Sequence, residues 1–260
     1  MIKFVEVFAI RVRRKTRKFD LFKTIVNSGF NFVDGDVVVV SSKFVSISEG
    51  SLIQLKRVRP TSIAKKLAKK FQMNEELTEL VLREADMIIN GIPGFLLCIK
   101  DGMLAPNAGI DKSNAPKGKV ILYPRNAFSS ADSLRLEFMS SLGLMIGVII
   151  SDSRLMPTRI GTTGIAVGVS GIEPVEDQRG HHDLFGKKLK VTLKAIADSL
   201  ATIGVFIMGE SNESTPVVVI RGAEVRFTNR KLSHVEMTID PSNDIYLRNF
   251  SLKLKNTSVE

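Results

Sequence analysis

The sequence predicts a globular protein that combines α-helices with β-strands, and three observations support this. Residues 144–150 (LMIGVII) are apolar except for Gly147 and too few for a globular helix, so they indicate a strand buried on both faces. Two neighbouring segments, 61–72 and the one starting at Asn74, carry apolar residues at helical spacing. Of the 260 residues, 44% are hydrophobic and 25% are charged, which is ordinary for a folded domain and argues against disorder.

The composition also excludes several classes of protein. Cys98 is the single cysteine, which excludes a disulfide within the chain and a cysteine-rich zinc site. The N-terminal apolar stretch is followed by basic residues instead of a small-residue cleavage site, so no signal peptide is predicted. Apolar runs fall short of the roughly 20 residues that span a bilayer. We therefore expect a cytoplasmic protein with no membrane partner.

Positive charge is concentrated in two places. The net charge is +10, and residues 11–18 (RVRRKTRK) hold six basic side chains. The second concentration consists of Lys56, Arg57, Arg59, Lys65, Lys66, Lys69 and Lys70. Such a field favours anionic partners, namely nucleotides, phosphorylated small molecules or nucleic acid, although a solvated face that aids solubility fits the second cluster equally well. The absence of Trp and the presence of two Tyr argue against a dedicated single-strand binder.

Along the N-terminal half, strands alternate with helices. Apolar runs predict strands at 3–10, 37–40, 95–100 and 120–123. Apolar stripes predict helices at 19–28, at 61–72 and from Asn74 onward. The last two, the first of them capped by Thr61 or Ser62, form a helical hairpin with four lysines on its outer face.

In the C-terminal half, a helix at 131–142, capped by Ser129 or Ser130, leads into the apolar strand that ends at residue 150. Ile165, Val167 and Val169 alternate as in a strand. Residues 191–208 predict one long amphipathic helix that ends at Gly209, and 216–220 predict a further strand. Residues 224–260 indicate a strand and a helix packed on the body.

Two stretches carry the polar groups of a candidate site. Asp152 follows the buried strand and precedes a loop with Arg154 and Arg159, a position where sheet proteins place ligands and metals. A helix cap or turn is the equally open alternative. The loop at 103–114 carries Asn107, Asp111 and Asn114, and its oxygen atoms suit magnesium or manganese bound with a nucleotide. An Asx-turn loop without a ligand remains the alternative there.

Other polar loops give weaker signals. The basic loop at 11–18 directly follows a strand, where guanidinium groups and backbone amides can hold a triphosphate. Ser41, Ser42 and Lys43 end the strand at 37–40 and can contact phosphate. His181 and His182 are adjacent on a loop and suggest a metal site, but neighbouring side chains diverge. We therefore expect them to be surface residues or to support a metal ligand from behind.

Taken together, these motifs resemble the coenzyme F420 gamma-glutamyl ligase family. The resemblance covers residues 3–222 and rests on several motifs in the same order. They are DGD at 34–36 before the strand 37–42, NAGID at 107–111 with SN at 113–114, IISDS at 149–153, GIAVG at 164–168 with SG at 170–171, DLFG at 183–186 with Leu189, and MGE at 208–210 leading to RG at 221–222.

The resemblance implies an α+β fold with mixed β-sheets and packed helices, and a homodimer. It places a family-like domain at 1–223 and a C-terminal extension at 224–260 on the same body. Members use GTP and divalent metal to join L-glutamate, through γ-linked amides, to the deazaflavin precursor of coenzyme F420 by way of an acyl phosphate. The implied cofactors are two Mg2+ or Mn2+ ions with GTP as co-substrate, and K+ is allowed as a further ion.

The resemblance also implies roles for individual residues. Asp111 and Asp152 would hold one metal ion, and Ser153, where relatives have Thr, and Glu210 would hold the second. Arg154 and Arg159 would orient the anionic substrate. The nucleotide would be lined by Arg11, Val12, Arg13, Arg14, Ser41, Ser42, Lys43, Asn114, Met208, Gly209, Glu210 and Ser211.

The chain departs from the family pattern at its phosphate-binding positions. Residues 46–50 read SISEG where the family has Ser-Lys-x-Glu-Gly, and Lys43 is the candidate substitute for that lysine. Relatives carry an arginine near Met156, and a Gly-Glu-Gly turn where this chain has GESNE at 209–213. Two alternatives therefore stay open: a paralogue that glutamylates another acceptor, and a non-catalytic relative that binds nucleotide or nucleic acid, with nucleic acid the less favoured partner.

Overall fold

The computed structural model describes residues 4–248 and 253–254, which divide into two compact units. Unit 1 comprises Met1–Arg14, Asp20–Val45 and Asn126–Met237, and unit 2 comprises Lys15–Phe19, Ser46–Arg125 and Thr238–Glu260. Residues 1–3, 249–252 and 255–260 lie outside the described residues. They include residue 3 of the predicted first strand and parts of the predicted C-terminal extension. The predicted boundary after residue 223 follows the family likeness and stays a prediction.

The elements are numbered in chain order. The strands are β1 (Glu6–Ile10), β2 (Val37–Ser41), β3 (Leu52–Gln54), β4 (Met87–Ile92), β5 (Phe95–Lys100), β6 (Met103–Pro106), β7 (Lys119–Ile121), β8 (Gly147–Leu155), β9 (Thr162–Ser170), β10 (Val175–Asp177), β11 (Leu193–Ala195), β12 (Val217–Arg221) and β13 (Lys253–Leu254). The α-helices are α1 (Leu21–Val26), α2 (Ser42–Glu49), α3 (Ser62–Lys70), α4 (Glu75–Glu84), α5 (Ala127–Leu142) and α6 (Ile196–Met208). Short 3-10 helices occupy Leu55–Arg57, Asn107–Gly109 and His234–Glu236.

Unit 1 is built on a five-stranded sheet with the order β1-β12-β2-β8-β9. The pair β2 and β8 is parallel, whereas the other neighbours are antiparallel, so the sheet is mixed. The four valines of β2 and the central residues of β8 are fully buried. Burial on both faces explains why these strands read as continuous apolar runs without alternation.

Helices α5 and α6 cover opposite faces of this sheet. The β8–β9 pairing shifts register between Ile150 and Ser151, and the extra residue on β9 reverses which face the following side chains point to. A β-carbon on Gly168 would lie 2.4 Å from the Ala127 carbonyl oxygen of α5. A β-carbon on Gly164 would lie 2.4 Å from the Ala201 carbonyl oxygen of α6. Glycine is therefore required where each helix crosses β9.

Unit 2 combines an antiparallel sheet, β13-β4-β5-β6, with the helical hairpin of α3 and α4 and the two-stranded ribbon of β3 and β7. The hairpin is confirmed with its predicted caps: the Thr61 side chain accepts from the Ala64 amide, and the Asn74 side chain accepts from the Leu77 amide. The α+β class with mixed sheets is likewise confirmed. None of the described helices combines the length and apolar character that a bilayer crossing requires.

Three predicted element boundaries were wrong. Strand β8 does not stop at residue 150 but continues to Leu155, because β9 pairs with it as far as Thr162. Helix α5 begins at Ala127 and is capped by Asn126, whose side chain accepts from the Ser129 amide. The predicted helix at 191–208 begins only at residue 196, since the residues of β11 pair with β10.

The sequence also missed helix α2, which follows β2 without a loop. Ser41 is the last residue of β2 and Ser42 is the first of α2, so the predicted loop at 41–43 is wrong. The helix passes from unit 1 into unit 2 between Val45 and Ser46. Its serines at 42, 46 and 48 are buried, which hides the polar-outward pattern that identifies surface helices.

Asp198 in the first turn of α6 leads to a prediction about pH. Burial raises the pKa of the Asp198 carboxyl, although its Oδ1 accepts a hydrogen bond of 2.9 Å from the Ala166 amide. A carboxyl whose pKa is raised on folding contributes stability at low pH, which is lost as the pH rises through the folded-state pKa. Asp198→Asn keeps an acceptor for the Ala166 amide but removes the charge. We expect it to raise the melting temperature by about 2–4 °C at neutral pH.

The measurement is thermal unfolding of Asp198→Asn and of the parent between acidic and neutral pH. The gain should shrink as the pH falls, because the parent carboxyl then becomes neutral as well. A gain that is equal at every pH would show that Asp198 ionisation is not its source.

Candidate functional site

The candidate site lies along one edge of the unit 1 sheet. Register pairs align Ile10, Val217, Val40 and Ile150 in a row across β1, β12, β2 and β8. Just beyond this row lie the polar segments that the sequence singled out. We call them the site edge: residues 11–14, 41–42, 151–154 and 209–216. The order of the strands therefore brings together segments that are far apart in the chain.

Asp152 is the most constrained group of the site edge. The Ser42 hydroxyl donates to Asp152 Oδ1 over 2.7 Å, and Arg154 Nε donates to Asp152 Oδ2 over 2.7 Å. The side chains of Arg154 and Asp152 are 5% and 12% exposed. This arrangement follows from the fold, because parallel pairing of Ser41 with Ser151 sets the start of α2 beside Asp152. The carboxylate is thus held in one orientation, with one donor on each oxygen.

The alternation of β8 separates its polar side chains into two groups. Asp152 and Arg154 share one face, while Ser151 and Ser153 point to the face covered by α6, where Gly164, the partner of Ser153, meets α6. Glu210 Oε1 accepts a hydrogen bond of 3.1 Å from the Thr162 hydroxyl, and Thr162 lies on the same face of β9 as Gly164. Ser153 and Glu210 therefore lie on one side of the sheet.

The predicted nucleotide loop at 11–14 contacts the chain just after the predicted turn at 208–211. The Val12 amide donates to the Ser214 carbonyl over 2.9 Å, and the Ser214 hydroxyl donates to the Val12 carbonyl over 2.8 Å. Val12 is buried, whereas Arg11, Arg13 and Arg14 are exposed. Val12 thus anchors the loop, and the three arginines supply the positive charge at this end of the site edge.

Glu213, which the sequence analysis missed, organises the turn after α6. Its Oε2 accepts a hydrogen bond of 2.8 Å from the Ser211 amide. Gly209 has φ +74°, and a β-carbon there would lie 2.4 Å from Glu213 Cδ, so the carboxylate packs directly on the glycine. The signal in the sequence is the glycine directly after α6, which predicts a turn there. The packing of Glu213 on Gly209 is visible only in the structure.

Asp111 and Asn114 belong to unit 2. The amide and carbonyl of Asp111 pair with Ile121, and its carboxylate accepts from the Ser113 amide at 2.6 Å and from the Ser113 hydroxyl at 2.9 Å. The Asx-turn that was the alternative for this loop is therefore present at Asp111. Asn107 has a structural role, since its Oδ1 accepts from the Leu96 amide at 2.9 Å.

The two arginines that the resemblance assigns to substrate differ in environment. Arg154 is buried and bound to Asp152, so its Nε orients that carboxylate. Arg159 is exposed in the turn between β8 and β9. His181 and His182 are both exposed, as predicted for surface residues.

The predicted metal ligands are divided between the units, with Asp111 in unit 2 and Asp152, Ser153 and Glu210 in unit 1. Within residues 4–248 and 253–254, no group of three or more His, Cys, Asp or Glu side chains is arranged to hold a metal ion. The donors of unit 1 are carboxylate and hydroxyl oxygens, which are the ligands that Mg2+ and Mn2+ accept. The donor chemistry therefore fits the implied ions, and the shared ligation stays a prediction.

A comparison with known protein families decides the assignment. Residues 10–222 match the model of F420-0:Gamma-glutamyl ligase. The chain belongs to the F420-0:gamma-glutamyl ligase family. The match covers both Asp111 and Asp152, and it confirms the family, the fold class and the prediction of an amide-forming ligase.

Several proteins named as coenzyme F420:L-glutamate ligases are similar to the chain over most of its length. "Coenzyme F420:L-glutamate ligase" from Methanopyrus kandleri is 36% identical over 241 residues, covering 91% of this chain and 95% of the relative. The protein of the same name from Methanocaldococcus jannaschii is 43% identical over 199 residues, covering 76% of this chain and 80% of the relative. The Archaeoglobus fulgidus protein is 35% identical over 221 residues, covering 85% and 89%.

Proposed function

We propose that the chain forms γ-glutamyl amide bonds between L-glutamate and the deazaflavin precursor of coenzyme F420, with GTP as the phosphoryl donor and divalent metal ions. The observation that carries this proposal is the fixed Asp152 carboxylate on the same sheet edge as three exposed arginines. Carboxylates beside cationic groups suit metal-assisted phosphoryl transfer. The names of the relatives support the substrates.

The chemistry has two balanced steps. An acceptor carboxylate oxygen attacks the γ-phosphorus of GTP, so that GDP leaves and an acyl phosphate forms. The glutamate amine then attacks the acyl carbon, inorganic phosphate leaves, and the amine loses a proton. Asp111, Asp152, Ser153 and Glu210 would hold the divalent ions, which offset the negative charge that both steps build up.

The residues of the chain bind and orient in this mechanism. Arg11, Arg13 and Arg14 are exposed and would contact the phosphates of GTP, and Val12 holds their loop against Ser214. Arg154 and Ser42 keep the Asp152 carboxylate in place, so it need not reorganise during the reaction. Arg159, exposed beyond β8, would meet the anionic acceptor.

Mass spectrometry tests the function directly. The purified chain is incubated with GTP, MnCl2, isotope-labelled glutamate and a mixture of acceptors that includes the deazaflavin precursor. We expect a labelled product one glutamyl unit heavier than that precursor, together with GDP. Label on another acceptor only would show a paralogue, and the absence of both GDP and product would contradict a ligase function.

Lys43 gives a prediction that concerns the altered phosphate loop. Lys43 lies in the first turn of α2, one turn before Ile47, where the family pattern has its lysine. We expect Lys43→Ala to raise the KM for GTP about ten-fold or more, since a charge-assisted hydrogen bond to phosphate is lost. Steady-state kinetics with varied GTP measure this. Lys23→Ala, an exposed helical lysine of unit 1, is the control; equal KM values for both variants would remove Lys43 from the site.

We also propose a homodimer. The supporting feature is the arm, which we define as residues 175–195 and which contains β10, β11 and the loop between them. At the tip of this arm Leu184 and Phe185 are 101% and 95% exposed. Adjacent large apolar side chains that are fully exposed form an apolar patch, and such patches mark contact surfaces. We expect Leu184→Asp with Phe185→Asp to convert a dimer to a monomer in light scattering. Val235→Asp, at another exposed apolar position, should leave the dimer intact; a dimer in both variants would exclude the arm.

A further inference from the structure

A strongly basic surface in unit 2 has no part in the proposed ligase site. It consists of Lys56, Arg57, Arg59, Lys65, Lys66, Lys69 and Lys70, which we call the basic face; all seven side chains are exposed. Residues 51–71, which contain the basic face, include no Asp or Glu. A segment with seven cations and no anion attracts polyanions over a distance of about one Debye length.

The acids of α4 next to the basic face are mostly engaged elsewhere. Among the described residues, no member of the basic face forms a salt bridge. Glu79 of α4 is buried, and it accepts from the Thr61 amide at 2.8 Å, the Thr61 hydroxyl at 2.7 Å and Arg83 Nε at 2.8 Å. Burial raises the pKa of Glu79, but these hydrogen bonds outweigh it and lower the pKa. Glu76 bonds to Asn74, and Glu75 is the exposed acid at the start of α4.

Helix α3 presents its lysines in a regular array. Ala64, Leu67 and Ala68 are buried on its inner side. On its outer side Lys65 and Lys69, like Lys66 and Lys70, are one turn apart, which is about 6 Å along the axis. Flexible lysine side chains at this spacing can contact successive phosphates of a nucleic-acid backbone without a fixed geometry.

We propose that the basic face binds the phosphate backbone of double-stranded nucleic acid without reading its sequence, as a function separate from amide formation. Single-strand binding would require exposed aromatic side chains for base stacking. Phe71 is the aromatic residue of 51–71, and it is buried, with Lys70 Nζ 5.4 Å from its ring centroid. A membrane surface would require an apolar stripe between the cations. Within 51–71, Ile63 is the exposed large apolar side chain, at 50% exposure.

Fluorescence anisotropy with short labelled RNA and DNA duplexes tests the proposal over a range of salt concentrations. The variant is Lys65→Gln, Lys66→Gln and Lys69→Gln in one chain. Lys70 is kept because it contacts Phe71. Glutamine favours helix, so α3 should fold. The matched control is Lys187→Gln, Lys188→Gln and Lys190→Gln, which removes the same charge from exposed positions of the arm in unit 1.

We expect the parent and the control to bind duplexes alike, whereas the α3 variant binds at least about ten-fold more weakly. A plot of log affinity against log salt concentration has a negative slope. In the α3 variant this slope should be less steep by about 3, because each lost phosphate contact reduces its magnitude by about 0.9. Ligase activity should be unchanged in both variants, which keeps this test independent of the proposed function. Three outcomes would overturn the proposal. They are equal duplex binding by the two variants, a preference for single strands, and binding to anionic vesicles in place of duplexes.

Discussion

Arg221→Met is expected to reduce the stability of unit 1 by about 3–5 kcal/mol, because it leaves a buried carboxylate without its cation. Asp36 is fully buried, and Arg221 binds it through two hydrogen bonds of 2.8 Å, from Nε to Oδ1 and from Nη2 to Oδ2. The Val33 amide is a further donor to Oδ2 at 3.0 Å. The guanidinium also lies over the rings of Phe8 and Phe30. Hydrogen bonding to Asp36 raises the pKa of Arg221.

Chemical denaturation measures this effect. The double variant Arg221→Met with Asp36→Asn should recover part of the loss, since the remaining buried group is then neutral. The matched control is Arg179→Met, which removes an equally close pair with Asp177 from the exposed arm, where no measurable change is expected. A stability close to that of the parent in Arg221→Met would mean that water reaches Asp36 and replaces the cation.

Arg221 belongs to the RG motif of the family, and the structure gives this motif a stabilising role.

Asp152→Asn is expected to lower kcat/KM for glutamylation by about 10³-fold, because it removes a negative charge from the group that would hold a divalent ion. The amide oxygen can still accept from Ser42, so the start of α2 keeps its contact. Arg154, which is buried, loses its carboxylate partner, and a lower melting temperature is expected as well. Activity is therefore measured well below that temperature, by mass spectrometry of the product.

A ligand-induced thermal shift separates binding from folding in this variant. GTP with MnCl2 should raise the melting temperature of the parent and should leave that of Asp152→Asn unchanged. Asp132→Asn is the control, since Asp132 pairs with Arg135 at 3.1 Å in unit 1 but lies outside the site edge. The control should keep both the shift and the activity. Activity of Asp152→Asn within ten-fold of the parent would exclude Asp152 as a metal ligand.

The segments of the candidate site could be singled out from the sequence because their motifs are local, and the roles of their residues stay predictions. The segments around Asp111, Asp152 and Glu210 were recognised by their order and residue types, and the family match confirms the assignment to the family. The contacts among these segments could not be identified in this way. Ser42 and Asp152 are 110 residues apart in sequence, and Val12 and Ser214 are 202 residues apart. No local period encodes pairings at such separations.

The sequence by itself determined the family, the buried strands and the capped hairpin of α3 and α4, since each depends on residue types at fixed short spacings. Only the tertiary structure decided that β8 continues through Asp152 to Leu155, that Arg154 binds Asp152, and that the loop at 11–14 contacts the turn after α6. The physical reason is that strand pairing is a contact between distant segments. The partner strand β9, and not the residues of β8, satisfies the backbone groups that let β8 extend past its apolar run.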